Sequence, residues 1–320
     1  MILILSIDGD VSTNIVIDWL ERYNHEYIRI NPSDLINENI FLSIAEKGEL
    51  LFKIGNDKVD INKINVVWYR KFGFFSSLSI YEKYKTNSIV GNERNRMYNQ
   101  FKRFIHFIYS IFEKKRWLCD PKYLFVNKPH VLKIAAEQGL SIPRTYIVNR
   151  KELIPNMDVV TKTMDEPYIV NMPSGRYMTY TAAMKELDKI PSEFFPSYIQ
   201  EKIEKDYEIR TFYICGKTYS MAIFSQQDDQ TKIDFRRYNT SCPNRYEPIL
   251  LPENVRSKID SLMNCLGLNT GSIDLIKSQN GEYVFLEVNP CGQFGMIENA
   301  CNYPLHKIVA EELIKMDNNG

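Results

Sequence analysis

The stretch Phe285-Leu286-Glu287-Val288-Asn289-Pro290, preceded along the chain by Gly271-Ser272-Ile273-Asp274, decides how this sequence is interpreted. Both stretches have the pattern of strands. Glu287 and Asn289 are two residues apart, so on a strand their side chains point to the same face. Asp274 ends its own short stretch and can point to the same place from a neighbouring strand. The two strands are therefore expected to bring three oxygen-bearing side chains together.

Two carboxylates and one amide oxygen form an all-oxygen ligand set that suits Mg²⁺, a cation that keeps bound waters and shares substrate phosphates. The alternative interpretation is a solvated strand edge with scattered acids. The residues around Glu287 are apolar, namely Val284, Phe285, Leu286 and Val288. Because an acid within a buried strand needs a partner, these neighbours favour the metal site over the solvated edge.

The composition argues against several classes of function. The chain has 320 residues, enough for two or three ordinary domains, and its 40 Lys and Arg balance 40 Asp and Glu. This balance predicts neither a nucleic-acid partner nor a membrane-surface protein, and no apolar run approaches the ~18 residues of a membrane span. Residues 1–7 lack a preceding basic segment and run into Asp8-Gly9-Asp10, which predicts a buried strand rather than a signal peptide.

Cysteine and histidine usage gives no sign of a disulfide framework or a zinc site. The six cysteines are scattered without a CxxC pair, and the four histidines show no ligand spacing. This usage predicts a reduced, cytoplasmic protein.

The predicted elements divide the chain into three parts. Strands and helices alternate through about residue 120, with strands at 1–7, 27–30 and 64–69, short antiparallel strands between 40 and 61, and helices near 10–23 and 92–115. Beyond this α/β part, a helix is predicted between Asn127 and Gly139 and a short one near 182–187. From Tyr198 the pattern is rich in strands, with a hairpin turning at Gly216-Lys217 and helices at 252–266 and 305–316.

Several motifs follow one another in an order that resembles the ATP-grasp ligases. These motifs are Asn127-Lys128, Gly139, Ile142-Pro143-Arg144-Thr145, Lys162, Ile199 to Ile203, Glu208-Ile209-Arg210, Asp234-Phe235-Arg236, Asp274, Glu287 and Asn289. Three further features are most similar to the microviridin-type ribosomal peptide maturases, the graspetide synthetases: Trp68-Tyr69-Arg70-Lys71, Ser225-Gln226 and Asn289-Pro290-Cys291-Gly292-Gln293-Phe294. The resemblance covers the whole chain and is strongest over residues 127–300.

This resemblance implies an α/β fold with α+β lobes. Residues 1–120 would form a Rossmann-like pre-ATP-grasp domain, residues 121–198 the central lid domain, and residues 199–320 the C-terminal ATP-grasp lobe with the metal site. The implied cofactors are ATP and Mg²⁺.

The resemblance also implies how the nucleotide is held. Lys128 and Lys162 would contact the ATP phosphates, and Gln200-Glu201-Lys202-Ile203 would form the hinge whose backbone binds adenine. Ser174-Gly175 lies where a mobile lid loop usually covers the phosphates. Taken singly, a lysine is more often a solvated surface charge and a Ser-Gly pair a plain surface turn.

Three residues are implied in catalysis. Glu208 would lie near the ribose or the catalytic centre, Arg210 would face the reacting carboxylate, and Arg236 would steady an acyl phosphate. Without the resemblance, the spacing of Glu208 and Arg210 is also compatible with a cross-strand ion pair on a solvated sheet face. Arg236 alone is compatible with a basic loop.

The implied reaction activates a carboxylate as an acyl phosphate, from which a second group then displaces phosphate. In the graspetide synthetases the carboxylate is an Asp or Glu side chain of a precursor peptide, and the second group is a Thr or Ser hydroxyl or a Lys amine of the same peptide. The expected partner is therefore a precursor peptide with leader and core, docked near the 208–226 hairpin. No nucleic-acid or membrane partner is expected, and a homodimer is left open.

Three alternatives are weighed against this interpretation. The first is a ligase that joins an amino acid or small acid to a separate amine or peptide, and it shares all ATP-binding residues. Polyglutamate-forming relatives have an arginine where this chain has Gln226, which favours the peptide-maturase branch. The second is a non-catalytic nucleotide-binding protein, which the intact acids and lysines disfavour. The third is a Rossmann-type nicotinamide enzyme, which the absence of GxGxxG after the first strand disfavours.

Overall fold

The computed structural model describes residues 1–37, 40–73, 91–164, 169–172, 175–178, 180–184, 187–237 and 239–319. In chain order the helices are α1 Val11–Arg22, α2 Asp34–Asn37, α3 Gly91–Ile111, α4 Lys128–Glu137, α5 Glu253–Cys265, α6 Gly295–Cys301 and α7 Leu305–Asn318. The strands are β1 Ile2–Leu5, β2 Tyr27–Ile30, β3 Ile40–Ile44, β4 Leu50–Ile54, β5 Asp57–Lys58, β6 Val66–Tyr69, β7 Arg116–Leu118, β8 Thr145–Arg150, β9 Val159–Thr161, β10 Ile169–Met172, β11 Gly175–Met178, β12 Ala182–Ala183, β13 Glu193–Glu201, β14 Lys205–Ile214, β15 Lys217–Phe224, β16 Arg245–Ile249, β17 Thr270–Ser278 and β18 Tyr283–Asn289. None of the helices in these ranges could cross a membrane.

Two compact units make up the chain. The first comprises Met1–Lys122 and Pro304–Gly320, and the second comprises Tyr123–Tyr303. The end of the first unit lies close to the predicted boundary at residue 120, but the last helix, α7, belongs to this unit and not to the C-terminal part in which residues 199–320 were expected. The division of the second unit into lid and lobe stays a prediction.

The first unit is built on a parallel sheet. Its strand order is β2-β1-β6-β7, and all three pairings are parallel. Every residue of β1 and β6 is buried, as expected of parallel strands that are covered on both faces. The predicted first strand at residues 1–7 is therefore confirmed. The short strands predicted between residues 40 and 61 form a separate antiparallel sheet of order β3-β4-β5.

A buried carboxylate holds α7 in the first unit. Asp317 accepts hydrogen bonds from the Met1 amino group at 2.8 Å and from Asn65 Nδ2 at 2.9 Å, and its Oδ2 lies 2.7 Å from His25 Nε2. Burial raises the pKa of this carboxyl, but the hydrogen bonds outweigh burial and hold the pKa of Asp317 below its ordinary value. Elements at opposite ends of the sequence are thus joined at one side chain.

We expect Asp317→Asn to lower the free energy of unfolding by about 1–3 kcal/mol at neutral pH, because it leaves buried donors without a charged acceptor. A carboxyl whose pKa is lowered in the folded state contributes stability above its unfolded pKa of about 3.9 and loses it as the pH falls through the folded pKa. The deficit should therefore shrink in acid, which denaturant unfolding followed at a series of pH values would measure. Glu311→Gln, on the exposed face of the same helix, should change stability by no more than about 0.5 kcal/mol. Equal stabilities of Asp317→Asn and the parent at pH 7 would contradict the anchoring role.

The second unit contains two larger sheets. The four-stranded sheet has the order β12-β9-β13-β8, and the five-stranded antiparallel sheet has the order β16-β15-β14-β17-β18. One face of the five-stranded sheet packs on α4 and α5. The buried residues that meet there are Ile209, Tyr213, Ile273, Leu275, Phe285 and Val288 from the strands and Leu132, Ala135, Ile259 and Leu262 from the helices. The apolar face is thus closed, and the opposite face of the same strands carries the polar residues.

Two predictions for this unit need correction. The helix predicted near residues 182–187 is wrong for Ala182 and Ala183, which pair with Thr161 and Val160 as strand β12. Residues 185 and 186 lie outside the described residues, and a 3-10 helix spans Leu187–Lys189. Sheet pairing overrides the helix propensity of such a short segment. Among the residues that the structure describes, β14 lies between β15 and β17, and Ser220–Phe224 of β15 pair with β16, so these parts of the 208–226 hairpin cannot take up a peptide as an added strand. Docking in a groove near this hairpin stays a prediction, and Ser174 lies outside the described residues.

Candidate active site

Three adjacent strands align the acids and one arginine of the polar face. Arg210 on β14 lies opposite Asp274 on β17, and Asp274 lies opposite Glu287 on β18. The guanidinium Nη1 of Arg210 is 3.2 Å from Asp274 Oδ1. The strand register, rather than the sequence spacing, therefore places these side chains in one row across the sheet.

A β-bulge decides which residues of β18 reach the cavity. Phe285 pairs with Leu275 and Glu287 pairs with Asp274, so Leu286 is the extra residue. Regular alternation would put Phe285 and Glu287 on one face. With the bulge, Phe285 joins the apolar core while Leu286 and Glu287 both line the cavity, as bulges beside functional sites often do.

Two lysines converge on Glu287. Lys162 Nζ lies 3.3 Å and Lys128 Nζ 3.6 Å from Glu287 Oε2, and the two ammonium-bearing side chains are only 12% and 18% exposed. Lys128 also donates to the carbonyl of Thr163 at 3.2 Å. Burial, reinforced by the neighbouring Lys162, lowers the pKa of Lys128. The structure thus brings together the two lysines that were predicted to contact phosphates.

The two facing carboxylates differ in their protonation behaviour. Burial raises the pKa of Glu287, but the ammonium groups of Lys162 and Lys128 outweigh burial and hold it below its ordinary value. Burial and the charge of Glu287 raise the pKa of Asp274 above its ordinary value, although Arg210 acts against them. A cation bound between two neighbouring carboxylates stabilises the charged form of both.

The third predicted metal ligand, Asn289, is exposed and sits opposite Ser272. Its Oδ1 accepts the backbone N–H of Cys291 at 3.2 Å, which leaves the second lone pair of this oxygen for a ligand. No group of three His, Cys, Asp or Glu side chains suited to a metal occurs among the residues described. Two carboxylates and an amide nevertheless fit Mg²⁺, which takes few protein ligands and completes its shell with water and phosphate oxygens.

Arg236 is held rigidly at the cavity wall. Its Nε and Nη2 donate to the two oxygens of Asp234 at 2.8 and 2.6 Å, a bidentate pair. Asp234 is 4% exposed and also accepts the backbone N–H of Thr181 at 3.2 Å. This contact raises the pKa of Arg236 and keeps the guanidinium oriented, so its remaining N–H groups are available to an anion in the cavity.

Glu208 lies on the same face of the sheet. It is buried there beside two residues that donate hydrogen bonds to its carboxylate. Lys205 Nζ is 2.6 Å from Glu208 Oε1, and the Ser225 hydroxyl donates to the same oxygen at 2.9 Å. Sequence reasoning named Glu208 but missed Lys205. Two residues three apart on a regular strand point to opposite faces, so the spacing of Lys205 and Glu208 does not predict that they meet.

The predicted hinge lies at the end of β13. The N–H groups of Glu201 and Lys202 already donate to the carbonyls of Arg144 and Asp158 at 2.9 Å each, and the buried Gln200 amide donates to Thr145. In the part of the chain that the structure describes, the Ile203 N–H has no protein acceptor, and Ile203 lines the cavity. Of the predicted hinge residues, Ile203 therefore has the backbone N–H that we expect to donate a hydrogen bond to adenine.

One cavity contains most of these groups. Its lining residues include Lys162, Gln200, Glu201, Lys202, Ile203, Lys205, Glu208, Gln226, Asp234, Arg236, Asp274, Leu286 and Glu287. Cations, acids and the predicted hinge residues thus line one cavity.

Comparisons with known proteins agree with this architecture. Residues 1–108 match the family model of the MvdD pre-ATP grasp domain. No curated protein matches the chain. A Chryseobacterium gregarium RiPP-associated ATP-grasp ligase, solved with ADP and a leader and core peptide, is 24% identical with a TM-score of 0.83, over 98% of this chain and 96% of the other.

Two further solved structures are similar over almost the whole chain. The macrocyclase MdnC of Microcystis aeruginosa MRC, bound with precursor peptide MdnA, is 21% identical with a TM-score of 0.77, over 98% of this chain and 99% of the other. The ATP-grasp ligase PsnB, complexed with minimal precursor, Mg and ADP, is 17% identical with a TM-score of 0.76, over 99% and 97% of the two chains. The predicted fold class is confirmed: the chain has the ATP-grasp fold with an N-terminal pre-ATP-grasp domain. The resemblance to ATP-grasp ligases that the motifs indicated is confirmed at the level of the fold.

Proposed function

We propose that the protein is an ATP-dependent ligase that matures a ribosomal precursor peptide. It would activate Asp or Glu side-chain carboxylates as acyl phosphates and form intramolecular esters with Thr or Ser, or amides with Lys. The observation that carries this proposal is that Lys128 and Lys162 both contact the Glu287 carboxylate, which lies opposite Asp274, and that Lys162, Arg236, Asp274 and Glu287 line one cavity. The solved relatives with bound precursor peptides support the choice of substrate.

The cavity can accommodate each part of the nucleotide. The Ile203 N–H, which has no acceptor among the described residues, suits the adenine edge, and the two lysines supply point charges for the phosphates. Asp274, Glu287 and Asn289 would hold Mg²⁺. When bound, this cation would neutralise negative charge on the phosphate oxygens. Glu208 can accept a hydrogen bond from a hydroxyl of the sugar. The cofactors proposed are therefore ATP and Mg²⁺.

The reaction would proceed in two steps. A carboxylate oxygen of the peptide attacks the γ-phosphorus of ATP, which forms the acyl phosphate and releases ADP. A hydroxyl or amine of the same peptide then attacks the carbonyl carbon, loses its proton and displaces inorganic phosphate. Arg210 and Arg236 contribute by neutralising and orienting the anionic carboxylate and its phosphorylated form. Within the described residues, Arg210 donates to Asp274 through Nη1 alone, so its Nε and Nη2 would be available to the substrate.

The phosphate role of Lys162 predicts a specific loss of affinity. We expect Lys162→Ala to weaken ATP binding roughly 10- to 150-fold, because a desolvated charged contact is worth about 1.5–3 kcal/mol. Gln200→Ala should weaken it far less, since the Gln200 amide already donates to Thr145 and adenine is bound by backbone. Calorimetric titration with ATP and Mg²⁺ measures both, with the exposed Lys133→Ala as a control. Near-native affinity in Lys162→Ala would refute the assignment.

Mass spectrometry of a precursor peptide incubated with enzyme, ATP and Mg²⁺ tests the reaction itself. Each ester or amide formed within the peptide removes one water, and mild base restores the water at esters only. A mass gain equal to an added amino acid, without water loss, would instead identify the alternative ligase that joins two separate molecules. An unchanged peptide mass, with ATP bound, would refute both reactions for that peptide.

The partner proposed is a precursor peptide with leader and core. The structures that resemble this chain were solved with such peptides, which supports a peptide as the acceptor. A homodimer and a cytoplasmic location stay predictions.

A further inference from the structure

A single buried ammonium group joins two parts of the cavity wall. Lys205 Nζ donates to Glu208 Oε1 at 2.6 Å and to the carbonyl of Ile233 at 3.1 Å, and the side chain is 8% exposed. One partner belongs to strand β14 and the other to the loop between β15 and β16. A buried cation that contacts both can fix their relative position.

An irregularity of the strand brings Lys205 to this face. Lys205 pairs with Ser278 and Tyr207 pairs with Lys277, so Asp206 is the extra residue in β14. Without this bulge, Lys205 and Glu208 would point to opposite sides of the sheet. The backbone is therefore shaped locally so that the ammonium meets the carboxylate.

The loop that Lys205 contacts is the one that carries Arg236. Its first residue, Ser225, donates to Glu208, and Thr231 donates to the Ser225 carbonyl at 3.0 Å. Asp234 follows Ile233 directly and holds the Arg236 guanidinium through two hydrogen bonds. Displacement of the Ile233 carbonyl would therefore move the guanidinium.

The other carboxylate oxygen of Glu208, Oε2, is available to a molecule that binds in the cavity. Lys205 and Ser225 both contact Oε1, and within the described ranges Oε2 has no protein partner, while Glu208 lines the cavity. An enclosed carboxylate oxygen needs a donor, and it repels phosphate. Sugar hydroxyls of the nucleotide are the donors that the proposed function supplies.

We propose that Lys205 is a positioning residue with two effects. Through Glu208 it holds the acceptor that recognises the nucleotide sugar, and through the Ile233 carbonyl it holds the loop that orients Arg236. The first effect concerns nucleotide selectivity, and the second concerns turnover. This inference rests on the proposed function.

The test compares Lys205→Met with the parent protein in nucleotide titrations with ATP, 2′-deoxy-ATP and 3′-deoxy-ATP. The parent should prefer ATP to at least one deoxy analogue by about tenfold or more, as expected for one hydrogen bond to a charged group. Both Lys205→Met and Glu208→Gln should reduce this preference to about twofold or less. General damage to the protein would weaken the binding of all three nucleotides equally and leave the preference for ATP unchanged. Lys133→Met, an exposed lysine of α4, is the matched control and should behave as the parent.

A double variant separates a positioning role from a failure to fold. Lys205→Met leaves the Glu208 charge buried without its cation, whereas Lys205→Met/Glu208→Gln removes both charges and should fold. Its nucleotide preference should equal that of Glu208→Gln alone. The double variant should catalyse water loss from the peptide about tenfold more slowly than Glu208→Gln alone. The reason is that the loop carrying Arg236 no longer has its hydrogen bond from Lys205.

The outcomes distinguish this inference from the proposed function. If the parent protein binds no ATP, the proposed function itself is wrong. If the parent binds ATP with the expected preference and Lys205→Met retains that preference, Lys205 does not position Glu208. If the double variant turns over as fast as Glu208→Gln alone, the anchoring of the Arg236 loop is refuted.

Discussion

Glu287→Gln is expected to lower the rate of peptide water loss by at least about a hundredfold while the fold is retained. The Glu287 carboxylate faces Asp274 across the strands and is the common partner of Lys162 and Lys128. An amide neutralises a divalent cation poorly and leaves two mostly buried ammonium groups without their counter-charge. Both the proposed Mg²⁺ site and the phosphate-binding lysines would therefore be disturbed by this one change. The measurement is the initial rate of water loss at saturating ATP, repeated over a range of Mg²⁺ concentrations.

The matched control for this variant is Glu282→Gln. Glu282 is an exposed acid directly before the same strand, so its loss removes the same charge without touching the cavity. The parent rate is expected for this control. Thermal unfolding of both variants shows whether the fold is retained. Full ATP-dependent activity of Glu287→Gln at ordinary Mg²⁺ would exclude Glu287 as a metal ligand.

Arg236→Ala is expected to abolish detectable water loss, a reduction of about 10³-fold or more, while peptide binding is largely preserved. Arginines that neutralise charge at a transferring phosphoryl group contribute effects of this order. The guanidinium is held by Asp234 in a fixed orientation, so it is ready to contact an anion without further ordering. Arg236→Lys should restore little activity, since an ammonium cannot reproduce the bidentate contact with Asp234.

Arg245→Ala serves as the control for Arg236→Ala. Arg245 forms a comparable pair with Glu247, at 3.1 Å, but it is 64% exposed and lies outside the cavity lining. Its replacement should leave the rate within about twofold of the parent, because an exposed ion pair contributes little. If Arg236→Ala forms the peptide bonds at the parent rate while its peptide affinity is unchanged, the catalytic role of Arg236 is wrong.

Features of the sequence were sufficient to predict the fold class, and they named most of the residues that the structure brings together in the candidate site. The apolar run at residues 1–7 indicates β1, and the order of motifs from Lys128 to Asn289 indicates the ATP-grasp fold. The two-residue spacing of Glu287 and Asn289 indicates a shared strand face. These features depend on neighbours in the sequence, so they can be recognised without knowledge of the pairings. The structure then brings Asp274, Glu287, Lys128 and Lys162 together as the motifs predicted.

Other features were decided by pairings between distant parts of the chain. The bulges at Asp206 and Leu286 arise from strand registers, and each reverses the face that a period of two would assign to the residues beyond it. Lys205 consequently meets Glu208, which no spacing rule indicates. Ala182 and Ala183 become a strand only because β9 lies beside them, and α7 joins the first unit because Asp317 finds its donors at Met1, His25 and Asn65. Sequence periodicity determines which face a residue prefers, whereas register and long-range hydrogen bonds determine which residue it meets there.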